Sequence, residues 1–303
     1  MKSAGTFITN QTQKVLENKQ YAIMLAVTFS VMPFASWLSV VLVALVTLRK
    51  GVKTGLEVLL PALVMHSVPL LMMVPVDTAV VNTGLAYVPC FIAALVLRRT
   101  QNWQWVFAVF LLLATLGSLL VQSLAPDLVT EQFSRFIALL AQYQEYQHLV
   151  TASNSSINSF FMAQLFFSVQ ILSVVISAYV SLLFARSLQS KLFVPGGFKK
   201  ELLAFRCGKS ALIPLFVIAI AAYYENPIGI NLLPLILGYF LVSGFNLAFF
   251  LLARKRQASV FLLLVLLILL KPFVVLALYV LLGSLDSLFN FRVFLPARMR
   301  ESI

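Results

Sequence analysis

Residues 258–282 read ASVFLLLVLLILLKPFVVLALYVLL, an apolar run broken once, by Lys271 and Pro272. A run of this length and apolarity is a membrane-span candidate, because about 20 such residues cross a bilayer. A lysine near the bilayer centre costs about 2.5–3.5 kcal/mol on insertion scales, so it demands a polar partner, a water-filled cavity or a ligand. Pro272 lacks a backbone donor and crowds the carbonyl four residues back, which kinks or breaks a helix at that point. Just beyond the run stand Asp286, Asn290 and Arg292. Lys271, Asp286, Asn290 and Arg292 are therefore the leading candidates for a solute-binding site.

Composition carries the membrane reading to the whole chain. Of its 303 residues, 61% are hydrophobic and 11% charged, against about 45–50% and 25% in soluble domains. The net charge of +12 comes from short Lys and Arg clusters beside apolar blocks, the arrangement of topogenic signals rather than of a nucleic-acid surface. Nucleic acid is thus not an expected partner. Cys90 lies in an apolar run and Cys207 in a basic loop, so neither a disulfide framework nor a metal cluster is indicated. No cleavable signal peptide is expected, because the first apolar block is long and lacks a small-residue cleavage pattern.

The predicted fold is all-α: a polytopic transmembrane bundle of about eight apolar blocks with one extracytoplasmic amphipathic surface helix. A polar N-terminal tail (1–20) precedes a first membrane group (21–124). The amphipathic helix and its linker (125–159) separate this from a second membrane group (160–285), and a polar C-terminal tail (286–303) follows. Block 21–48 exceeds one span and holds Pro33 near its middle, so it is either one kinked helix or a hairpin of two short ones. Ala22, Ala26 and Ser30 recur every four residues, which lines one helix face with small side chains for close packing. His66 lies inside the next block, as a packing residue or as site lining. In 128–150, Val129, Phe133, Phe136, Ile137, Leu140 and Tyr143 repeat at helical spacing opposite Glu131, Gln132, Arg135, Gln142 and Glu145, the pattern of a surface helix. Ser173, Ser177 and Ser181 share a face of the fifth block, for helix packing or for a polar lining. Blocks 211–224 and 228–252, broken by Glu225, Asn226 and Pro227 and carrying Asn231, Pro234 and Asn246, resemble the discontinuous helices of transporter sites or an ordinary turn. Asn231, Asn246 and His66 join the solute-site candidates. The run Cys207-Gly208-Lys209-Ser210 imitates the end of a phosphate-binding loop, but Leu203 holds the place of its first glycine.

Lys and Arg fall in alternate connections: 49–53, 98–99, 186–209 and 254–256 are basic, while those holding Asp77, the amphipathic helix and Glu225 are neutral or acidic. The positive-inside rule then places the basic connections in the cytoplasm. One crossing per block leaves both basic tails outside. Hairpins at Pro33 and at Lys271–Pro272 return both to the cytoplasm.

Gly283, Asp286, Asn290, Phe291 and Arg292, with Leu48-Arg49-Lys50-Gly51 and the basic loop 197–209, resemble the YybS-like family of bacterial polytopic membrane proteins. That family is of unknown function and is grouped with the substrate-binding components of energy-coupling-factor vitamin transporters. The resemblance implies a membrane component without its own ATPase. The face of Ala22, Ala26 and Ser30 is similar to the small-residue face those components present to a membrane partner. The additional apolar blocks and the inserted surface helix depart from them.

Two functions follow. In the first, the protein binds or moves a small solute. In the second, it is a scaffold that recruits partners through basic loops, with anionic headgroups as lipid partners. Zinc-protease spacing, a Gly-x-Ser-x-Gly elbow and a close carboxylate pair within a span are all missing from the sequence, so no enzymatic activity, catalytic residue, metal or cofactor is expected.

Overall fold

A computed structural model describes residues 2–32, 34–143, 159–252 and 257–294. Pro33, Glu145, the linker at 151–158, the basic cluster 254–256, Arg298 and Arg300 lie outside them. Every regular element among the described residues is helical. The chain forms two compact units, Met1–Phe110 with Ser173–Leu202, and Leu111–Leu172 with Leu203–Ile303.

In the first unit, the segment predicted as a polar tail is a helix, α1 (Lys2–Glu17), which buries Thr12, Val15 and Leu16. Its Gln11 accepts a 2.7 Å hydrogen bond from the Tyr21 hydroxyl. Block 21–48 resolves into α2 (Lys19–Val31) and α3 (Ser36–Lys50). The Asn18 side chain caps α2 by accepting from the Gln20 and Tyr21 N–H groups, as a residue with a short acceptor does at a helix start. The chain then reverses. Phe34, almost fully exposed at the turn, takes φ +63°, and beyond it Ser39 Oγ donates to Ala26 O at 2.7 Å. The hairpin alternative therefore replaces the kinked span. Its arms of 13 and 15 residues are about 20 and 22 Å long, short of a hydrocarbon core of about 30 Å. Ala22, Ala26 and Ser30 are all buried, as their spacing predicts. α3 is apolar all round and buried continuously from Ser39 to Leu48, the condition in which such a helix is stable. It packs on α2, α4 (Val52–Leu71) and α5 (Val76–Thr100). Lys19 and Glu57 pair at 2.6 Å and join the start of α2 to that of α4.

The next helices are α6 (Trp103–Leu124), α7 (Leu128–Leu140), the 35-residue α8 (Ser159–Phe193), α9 (Gly197–Ala204), α10 (Leu212–Tyr223) and α11 (Pro227–Leu252). α7 is amphipathic as predicted. Val129 is buried and Phe136 stacks on Phe166 of α8 at 4.8 Å, while Glu131 and Arg135 pair in the open.

The run that opened the sequence analysis becomes α12 (Gln257–Leu270) and α13 (Pro272–Phe289), with Lys271 alone between them. Tyr279, eight residues after the break, donates from its hydroxyl to the carbonyl of Leu264, seven residues before it, at 3.3 Å. The two arms thus lie side by side, and Lys271 is exposed at their apex. The expected polar partner or cavity around Lys271 is therefore not found at this exposed turn among the described residues. Pro272 starts a new helix at its first position, so the break is a reversal, and a lysine at a reversal can extend its stem away from the apolar arms. Lys271→Met is expected to change the thermal stability of the detergent-solubilised protein by less than about 0.5 kcal/mol, the range of surface substitutions; a loss of several kcal/mol would restore the buried-cation reading. The arms are held to α11 by Phe245, which meets both Phe261 and Tyr279 edge to face at 5.7 and 5.6 Å.

Six helices among the described residues, α4, α5, α6, α8, α11 and α13, are long and apolar enough to cross a membrane. A bent pair, Gly197–Ala204 with Lys209–Tyr223, turns through 54° and makes a seventh if it is one span. The chain is accordingly a multi-pass membrane protein; blocks 21–48 and 258–282 each fold as two helices, of which only α13 reaches spanning length.

Candidate functional site

The polar cluster near the end of α13 exists because two helices touch there without intervening side chains. A Cβ on Gly244 of α11 would overlap the carbonyl oxygen of Tyr279, and one on Gly283 of α13 would overlap that of Phe240. Only glycine permits backbones to approach so closely. One turn beyond the crossing, Asp286 and Ser287 are carried inward, and both are fully buried.

Asn290 then ends the helix in the left-handed conformation, φ +48°, with its N–H donating to Asp286 O at 3.0 Å. An asparagine tolerates that conformation better than most residues. The turn brings Arg292 back against Asp286, Nε to Oδ2 at 3.4 Å. Arg292 also donates from Nη2 to Phe205 O at 2.7 Å and from Nη1 to Leu203 O, and lies over the Phe250 ring at 5.6 Å. The loop so gripped is fixed at its other end. The Cys207 N–H donates to Ser243 Oγ at 3.2 Å, its thiol points to Tyr239 O at 3.6 Å, and its carbonyl accepts from Ser287 Oγ at 3.1 Å.

Burial pushes Arg292 below its usual value; the Asp286 charge opposes that shift and the Arg206 charge adds to it. Burial likewise pushes the Cys207 thiol up to about 12, so it is a hydrogen-bonding thiol and not a nucleophilic thiolate. Asp286 is 0% exposed, yet neither of its carboxylate oxygens accepts a hydrogen bond. An ionised carboxylate has room for about four donors. The distinctive feature of the site is therefore a sequestered carboxylate with unused acceptor capacity beside the Arg292 guanidinium.

Of the predicted site residues, Asp286, Asn290 and Arg292 come together here. Lys271 does not: it sits at the hairpin apex. Asn246 is half-buried on α11, three residues beyond Ser243. Asn231, also on α11, is buried and donates to Ser118 Oγ at 3.0 Å. His66 belongs to the first unit, where its ring nitrogen Nδ1 lies 3.1 Å from Ser30 O and its ring meets Tyr87 edge to face at 5.4 Å. A carbonyl only accepts, so Nδ1 carries the proton. The serine stripe of α8 is corrected: Ser181 is buried, but Ser173 and Ser177 are exposed, and the buried face runs instead through Ala178, Leu182 and Ala185. Sequence reasoning missed Ser243, Ser287 and the carbonyls of Leu203 and Phe205. Backbone acceptors carry no residue signature; the glycine pair Gly244 and Gly283 was the available signal.

Comparison with protein families, with characterised proteins and with solved structures finds no match to this chain.

Proposed function

We propose that this chain is a solute-binding component of a bacterial cytoplasmic membrane, with Asp286 as the acceptor for a small solute bearing hydroxyl or amine donors. The observation that carries this reading is the fully buried carboxylate of Asp286 with no hydrogen bond to either oxygen. A buried charge left without donors is costly, and a ligand that supplies them gains what the protein forgoes. Arg292 and Asn290 position the carboxylate. The chain performs no chemistry of its own, and a membrane partner supplies energy for any movement of the solute. The basic connections face the cytoplasm and anionic headgroups. The kinship proposed with the YybS-like family rests on the sequence run that holds Gly283, Asp286, Asn290, Phe291 and Arg292.

The test is a thermal-shift screen of the purified protein against polyols and small amines. At least one is expected to raise the unfolding temperature by several degrees in the wild type and in Lys271→Met, and to do nothing in Asp286→Asn. A response that survives in Asp286→Asn, or no response from any member, removes the proposal.

A second reading is favoured by the loop contacts. Arg292, Ser287 and Ser243 each hydrogen-bond to residues 203–207, which is how a scaffold would fasten a connecting loop. Under that reading Asp286→Asn alters stability while no solute alters it.

A further inference from the structure

A separate set of polar groups lies on α6, α8 and α11 of the second unit. Ser118 and Gln122 are four residues apart on α6 and so share a face. Ser118 Oγ accepts from Asn231 Nδ2 at 3.0 Å, and Gln122 Nε2 donates to Gln164 Oε1 at 3.0 Å. Ser118, Gln164 and Asn231 are fully buried. Side-chain hydrogen bonds of this kind join helices in a bilayer, and this accounts for one end of each amide. It does not account for the other ends. Asn231 Oδ1 and Gln164 Nε2 are both buried and both without a hydrogen-bond partner. Turning either amide over exchanges donor for acceptor at that position and still leaves one end unmatched.

The chemistry of these groups restricts what meets them. None of the four side chains is charged, so an ionic guest would find no counter-charge and would pay its full desolvation. In the placement seen, Asn231 Oδ1 accepts and Gln164 Nε2 donates, and a guest that carries both a carbonyl acceptor and an NH2 donor, as a primary carboxamide does, meets these ends and their turned-over forms alike. Their anchors on α6 are four residues apart, a rise of about 6 Å, the span of a few heavy atoms. Three residues from Asn231, Pro234 offers no N–H to the carbonyl of Ile230, which adds acceptor capacity along the same stretch of α11. We propose that Asn231 and Gln164, held by Ser118 and Gln122, form a binding site for a small uncharged solute with a primary carboxamide or equivalent donor–acceptor pair. The site is independent of Asp286 and stands or falls apart from it.

Acetamide and acetate, which match in shape and differ in charge, are the probes. Saturation-transfer NMR on the full-length protein in nanodiscs is expected to show saturable transfer to acetamide at millimolar concentration and none to acetate. Asn231→Leu and Gln164→Met are each expected to reduce the acetamide signal at least threefold, with Lys271→Met as the unaffected control. Loss of fold in either variant leaves the comparison of acetamide with acetate in the wild type to decide. No saturable acetamide signal, an equal acetate signal, or folded variants that respond like the wild type would each overturn the proposal; water alone then meets the open ends.

Discussion

Gly244→Leu is expected to lower stability by about 4 kcal/mol or more, among the largest effects of a single substitution. Its side chain would have to occupy the space of the Tyr279 carbonyl, and a backbone atom cannot swing aside as a side chain can. Gly283→Leu meets the Phe240 carbonyl in the same way. Because the two substitutions wedge open the same crossing, the double variant should be little worse than either single one. Gly238 lies on the same helix, but the nearest atom to a Cβ there is Leu172 Cδ1 at 3.9 Å, so Gly238→Ala is expected to be tolerated. Thermal unfolding in detergent followed by circular dichroism measures all four. If Gly244→Leu unfolds like the wild type, α11 and α13 are not in backbone contact.

Arg292→Met should be the next most damaging change. It removes the counter-ion of a fully buried aspartate, and breaking such a pair costs about 3–5 kcal/mol because the remaining charge is stranded. It also frees the carbonyls of Leu203 and Phe205. Adding Asp286→Asn to Arg292→Met should recover part of the loss, since no charge is then left behind. A second readout separates the latch from general destabilisation. Cys207, buried in the wild type, should become reactive to maleimide in Arg292→Met at temperatures where Cys90, buried in the first unit, stays protected. Equal protection of Cys207 in both proteins would mean that Arg292 does not hold the loop.

The apolar blocks announce helices with little ambiguity, because an element apolar on every side has nowhere to go but a bundle or a bilayer. The break at Lys271–Pro272 is legible too, since proline cannot continue a helix. Its angle is not. The same residues make a kink or a reversal, and the outcome depends on Phe245, Phe261 and Tyr279, whose meeting is a matter of tertiary packing. The lysine was misread for that reason: a charge is compensated or not according to where the break places it. Asp286, Asn290 and Arg292 were found as polar residues beside an apolar run. The groups around them were not, because the partners of Arg292 are carbonyls and the loop at Cys207 is held by two serines, ordinary residues made special by a glycine contact one turn away.

The grip of Arg292 on the loop at 203–207 also sets an order of events during synthesis. Arg292 is made 87 residues after Phe205, which at about 5–20 residues per second leaves the loop waiting roughly 4–17 s for its clasp. Over that interval α10 and α11 are made while the loop that precedes α10 is unfastened. A second unit that ends before Arg292 lacks this clasp altogether.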